Sequence, residues 1–293
     1  MGAFEISRVE EVVCPLATPA QWFGDCDRAA LSEALAALPR GYYDPATDHL
    51  TSSFHTWVLR VDGKTILIDT CSGNHKERPG WPIFHMLDHP YLERLKAAGI
   101  EPEDVDVVMC THLHADHVGW NTRLENGRWV PTFPNARYLM GREEMAWFQA
   151  HVARPDTLPL EVNTYNDSVL PVVEAGRVEL VAGDAEIVRG LRLRPTPGHT
   201  PGHLGVELES GGERALFCGD ALHFPLQIPL WHWPTLVDKD PAQGAATRGD
   251  IVRRCAETGA LLLPAHFLAP YGAYVRERAE QFSISFDGVL EGP

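Results

Sequence analysis

Six consecutive residues, His112-Leu113-His114-Ala115-Asp116-His117, constrain this chain more than any other feature. They crowd three imidazoles and a carboxylate together directly after the apolar run of residues 105–110. That run reads as a short buried strand, and a strand end is where a rigid scaffold passes into a loop free to carry ligands. If the chain stays extended past Cys110, His112 and His114 point the same way, because side chains alternate along a strand. Two imidazoles then converge on one ion, and Asp116 and His117 face a second as the chain turns. A lone histidine is usually a packing or surface residue. Three within six positions, with an aspartate among them, form a metal-ligand pattern.

Further donors follow other apolar runs. Residues 196–203, Thr-Pro-Gly-His-Thr-Pro-Gly-His, come after a strand expected at 191–194 and bring His199 and His203. Asp220 ends the run 214–218, and His266 follows 260–263. Each is a His or Asp just past a strand, so all can meet at one edge of a sheet. Elsewhere, 6–13, 54–61, 65–68 and 205–208 read as strands, with Asp62-Gly63 as a tight hairpin turn. Helices are expected at 27–38, 91–98 and 142–150. A longer one starts at Asp240-Pro241, with Asp as cap and Pro at the first position, and stops at Gly259. Strands and helices alternate in both halves, which indicates an α/β sandwich. Nothing in the local pattern places Trp22 and Phe23.

Composition bounds what such a site serves. The 293 residues are 44% hydrophobic and 22% charged, ordinary for a globular chain, with a formal net charge of -15. That charge argues against a nucleic-acid partner, since binding phosphates takes Lys and Arg. No stretch approaches the roughly 18–20 apolar residues of a membrane span. The first residues lack the basic start and apolar core of a secretory signal, so a cytoplasmic location is expected. The six cysteines are scattered without a C-x-x-C pair and read as reduced structural residues.

The ordered set His112-x-His114-x-Asp116-His117, Pro197-Gly198-His199-Thr200, Gly219-Asp220 and Ala265-His266 resembles the metallo-β-lactamase superfamily, with Ile68-Asp69-Thr70 matching an earlier Asp-bearing strand end. The resemblance spans roughly residues 54–270. It implies a four-layer αβ/βα sandwich, with residues 1–293 as one domain and residues 1–50 as an N-terminal extension or lid. It also implies two divalent ions: His112, His114 and His199 on the first, Asp116, His117 and His266 on the second, and Asp220 bridging them. Asp69 would orient ligands from behind. His203 would be structural.

Two such ions, about 3.5–4 Å apart, hold a bridging water and lower its pKa towards about 7, and Asp116 can pass a proton to the leaving group. Zinc fits this ligation best; manganese, iron and cobalt are admissible. His223 stands where related lactonases carry a tyrosine that steadies the developing oxyanion. It either donates to the substrate oxygen or shuttles a proton, or else simply packs. The apolar, Pro-rich stretch 224–234 and Trp120 suggest a pocket wall for a neutral, fairly hydrophobic small molecule. The chain is similar overall to quorum-quenching lactonases and methyl-parathion-hydrolase-like enzymes, which implies hydrolysis of a lactone or ester by a monomer or homodimer. Organophosphate triesterase, glyoxalase-II-like thioesterase and, from another class, a mononuclear iron persulfide dioxygenase are the alternatives.

Overall fold

The computed structural model describes residues 1–279 and 281–289, so residues 280 and 290–293 of the expected 1–293 domain lie outside the described residues. Backbone contacts divide the chain into two compact units. The first comprises Met1, Ala3–Val12 and Phe54–Ala185; the second comprises Gly2, Val13–Ser53 and Glu186–Pro293.

One sheet runs in the order Glu5–Ala17, His49–Val61, Lys64–Ile68, Val107–Cys110, Arg137–Gly141, Val178–Val181. The expected hairpin is present. Val61 pairs with Lys64 across Asp62 and Gly63, both at positive φ (49° and 72°), as a two-residue hairpin turn requires. From Lys64–Ile68 onward the strands are parallel. Val107–Cys110 is buried at every position, the pattern of a strand covered on both faces. Tyr91 and Leu95 from the helix Tyr91–Ala97, and Met145 and Phe148 from Arg142–Val152, pack with Val58, Leu67, Val108 and Tyr138 in one core. A helical stretch from Pro159 to Glu174, containing a π-helical turn at Tyr165–Val169, has no clear apolar periodicity and was not expected.

The second sheet runs Glu186–Val188, Leu191–Pro195, Leu204–Ser210, Glu213–Gly219, Leu261–Pro264, Ala273–Arg278, Gln281–Ser285. Its one parallel pair, Glu213–Gly219 with Leu261–Pro264, is joined through the helix Pro241–Thr258. That helix begins and ends as the residues dictate: Asp240 accepts from Gln243 N, Pro241 opens the first turn, and Gly259 closes it at φ 68°. Trp22 and Phe23 are buried against Leu31, Tyr42, Leu50, Phe224 and Leu226, so part of the N-terminal segment is core. Among the described residues no helix is long and apolar enough to cross a membrane. All six cysteines are free, and burial pushes the thiols of Cys110 and Cys255 up to about 12.

Candidate metal centre

Chain direction explains how the histidine motif is presented. Thr111 leaves the strand Val107–Cys110, His114 is still extended (φ -72°, ψ 160°), and a single helical turn, Ala115–Val118, follows. The ring centroids of His112 and His114 are 4.6 Å apart, and those of His112 and His117 are 4.1 Å apart. Asp69, held at φ 58° at the end of Lys64–Ile68, lies beneath them. Its carboxylate accepts from Thr111 N (2.8 Å), Thr111 Oγ1 (2.8 Å) and His117 Nδ1 (2.9 Å). A carboxylate accepting from Nδ1 puts the proton there and turns the Nε2 lone pair of His117 outward, as a ligand requires. That Nε2 lies 3.5 Å from Asp116 Oδ2.

The turn behind the motif is fastened to the segment after Asp69. Thr70 N donates to His117 O (2.7 Å), Gly119 N to Cys71 O (2.7 Å) and Trp120 N to Thr70 O (2.8 Å). The approach is so close that a Cβ on Gly119 would lie 2.0 Å from the Ser72 carbonyl. Glu11, fully buried, accepts from Ser72 N, Gly73 N and Trp120 Nε1 at 2.8, 3.0 and 2.6 Å. Trp120 therefore belongs to the core, stacked on Tyr91, and is no pocket wall. Glu11 and Glu144, which accepts from Leu113 N, went unnoticed in the sequence because a lone glutamate carries no local signal.

In the second unit Asp220 follows Gly219, which takes φ 50°, and its side chain is buried. Three imidazole Nε2 atoms surround its carboxylate: His199 at 3.4 Å and His223 at 3.0 Å from Oδ2, and His266 at 3.0 Å from Oδ1. His266 Nδ1 faces Ser53 O at 3.0 Å, which again puts the ring proton on Nδ1 and the lone pair on Nε2. Both nitrogens of His203 are spent on other partners: Nε2 accepts from Asp220 N and Nδ1 meets Thr196 Oγ1. His223 is buried, stacked on His266 and met edge-on by Trp22 at 4.7 Å. Burial pushes its pKa down to about 4 against the pull of Asp220, so Nε2–H of the neutral ring donates to that carboxylate.

Asp238 was not expected. Its Oδ1 lies 3.4 Å from His199 Nδ1 and its Oδ2 accepts from Arg248 Nη1 at 2.8 Å. Burial raises its pKa, but His199 and Arg248 outweigh that and hold it down at about 2. Of the expected wall at 224–234, residues 224–228 are buried, whereas Trp231 and Trp233 are half-buried.

Residues 55–266, well over half the chain, match the family profile of the metallo-β-lactamase superfamily. The chain belongs to that superfamily. Among curated relatives, an N-acyl homoserine lactonase of Bacillus thuringiensis is 32% identical over 120 residues, 40% of this chain and 39% of the relative. The match thus spans about two-fifths of that relative's length. Among solved structures, the hydrolase AbOPH of the β-lactamase superfamily superposes with a TM-score of 0.81 at 23% identity, covering 97% of this chain and 94% of the other. AidC, a dizinc quorum-quenching lactonase solved with a product, superposes at 0.78 and 19% identity, covering 99% and 96%. These likenesses establish the metallo-β-lactamase fold, the α/β class expected from the motif order.

Proposed function

We propose that this superfamily member is a dinuclear metal-dependent hydrolase of a small, fairly hydrophobic lactone or ester. One observation carries the reading. Each unit presents its share of the ordered donors as a cluster: in the first, the rings of His114 and His117 lie 4.6 and 4.1 Å from that of His112, with Asp116 between them in sequence, and in the second, the Nε2 atoms of His199 and His266 lie 3.4 and 3.0 Å from the Asp220 carboxylate. The donor chemistry fits divalent ions, zinc first, because Asp69 and Ser53 O hold the Nδ1 atoms of His117 and His266 and so present Nε2. When bound, two such ions supply hydroxide at neutral pH and polarise the ester carbonyl.

The chain's own residues supply the rest. Asp116, whose side chain is 14% exposed, takes the proton released during attack and passes it to the leaving alkoxide. His223 acts on the Asp220 carboxylate, holding it through Nε2–H and not reaching the substrate oxygen with that atom. Trp231 and Trp233, half-buried in the apolar stretch 224–234, are read as wall residues for a neutral substrate. A lactone is favoured over a phosphotriester because the curated relative is an N-acyl homoserine lactonase and AidC is a lactonase. The net charge of -15 keeps nucleic acid out of the reading. Residues 1–293 are read as one domain, acting in the cytoplasm as a monomer or homodimer.

Elemental analysis paired with hydrolysis of lactones, aryl esters, thioesters and phosphotriesters tests this. Two metals per chain and lactone or ester cleavage are expected. Fewer than two metals in active protein, or cleavage of none of the panel, refutes it. Iron alone at one per chain selects the dioxygenase alternative.

A further inference from the structure

Asp238 and Arg248 form a buried ion pair, their side chains 0% and 1% exposed, in no motif of the superfamily pattern described above. Such a pair is costly unless every remaining donor and acceptor is used. Here the remaining atoms reach in two directions. Asp238 Oδ1 faces His199 Nδ1 at 3.4 Å. Arg248 donates from Nη2 to Trp233 O (2.8 Å) and from Nε to Trp231 O (3.4 Å).

The backbone around the pair leaves no slack. Lys239 N donates to His199 O and Asp240 N to Gly198 O, so the chain beside Asp238 is bonded to the histidine loop. Thr247 Oγ1 donates to Pro197 O, linking the helix Pro241–Thr258 to the same loop. A Cβ on Gly198 would lie 2.3 Å from Gly244 N, and one on Gly244 would lie 2.4 Å from Asp238 Oδ2. Gly249 seats Trp231, where a Cβ would meet the ring at 2.7 Å.

We infer that the Asp238–Arg248 pair is a positioning device that fixes the proton of His199 on Nδ1, turns Nε2 to the metal, and ties this ligand to the aromatic segment at 231–233. The electrostatics favour that tautomer. At 3.4 Å a carboxylate already paired with arginine attracts a proton on Nδ1, whereas a lone pair there would face it repulsively in a buried site. Nε2 is then left on the side of Asp220 Oδ2, 3.4 Å away. Arginine's planar fork allows one side chain to serve the carboxylate and two carbonyls at once; lysine cannot span all three. The inference rests on the two-metal reading, and its test separates the two.

Zinc-loaded wild type, Asp238→Asn and Arg248→Lys are titrated with a chromogenic chelator, and retained zinc is counted. In Asp238→Asn the amide can turn its NH2 toward Nδ1 and release the tautomer. One of the two zinc ions is then held about 10–100-fold more weakly while the other is unchanged. Arg248→Lys keeps the carboxylate paired but frees the Trp231 and Trp233 carbonyls, so both zinc ions stay and KM for a lactone rises more than kcat falls. A second reading needs no variant to fold well. Long-range 1H–15N spectra of zinc-loaded wild type, with His199 assigned by the signals lost in His199→Gln, show a protonated Nδ1. A proton on Nε2, or folded Asp238→Asn holding both ions as tightly as wild type, overturns the inference alone. Wild type that binds no zinc overturns the two-metal reading and the inference with it.

Discussion

Lys76 gives the sharpest test of the physical reasoning. Its side chain is fully buried, with Nζ donating to Thr122 Oγ1 (2.8 Å) and Asp167 O (3.2 Å) and lying 3.8 Å from the centre of the Trp129 ring. The nearby carboxylate of Asp167 is taken by Arg78, which grips both oxygens at 2.6 and 2.8 Å and leaves Lys76 a contact of 3.4 Å. Two cations thus share one anion. Burial, reinforced by Arg78 and only partly opposed by Asp167, pushes the lysine from its ordinary 10.5 down to about 7. Between those values the unfolded chain holds a proton that the folded chain lacks. Stability from this group is therefore smallest below the folded pKa and grows as pH rises towards 10.5, by about 1.4 kcal/mol per pH unit. Lys76→Met keeps most of the stem and removes the titration. Urea unfolding of both zinc-loaded proteins across a pH series is the assay, and their difference cancels every other titrating group. Wild-type stability relative to Lys76→Met should climb by about 2–3 kcal/mol between about pH 7.5 and about pH 9.5. Parallel profiles with a constant offset would show that Asp167 outweighs burial and that the reasoning fails.

Two further substitutions probe the fastening behind the histidine motif. Glu11→Gln sets an NH2 against at least one of the three N–H donors that Glu11 now accepts, and should cost about 1–3 kcal/mol in urea unfolding and loosen zinc; unchanged stability and zinc retention would remove Glu11 from the support of the site. Gly119→Ala drives a methyl to 2.0 Å from the Ser72 carbonyl, so its loss should reach or exceed the ~1–3 kcal/mol of ordinary overpacking, read as a lowered Tm together with reduced zinc content.

The parts legible in the sequence are those that neighbouring residues encode. Asp240, Pro241 and Gly259 bound a helix because cap, fixed φ and left-handed closure are local effects. Asp62-Gly63 turns a hairpin for the same reason, and the ordered His and Asp positions pointed to the superfamily before any geometry. Periodicity placed Val107–Cys110 and Tyr91–Ala97 closely but missed the hairpin of Ala273–Arg278 with Gln281–Ser285 and the helical stretch from Pro159 to Glu174, whose apolar positions are set by what they pack on. Tertiary structure alone decided which nitrogen His117 and His266 offer. Ser53 O reaches His266 across 213 positions of chain, and Asp69 meets His117 across 48. It likewise spent His203 on Asp220 N, turned His223 onto the Asp220 carboxylate, drew Trp120 into the core and brought Asp238 to His199. The residue types and their order settle which groups are available to a metal. Where the protons of His117 and His266 sit depends on hydrogen-bond partners distant in the chain, and those partners are chosen only when the strands and loops have packed.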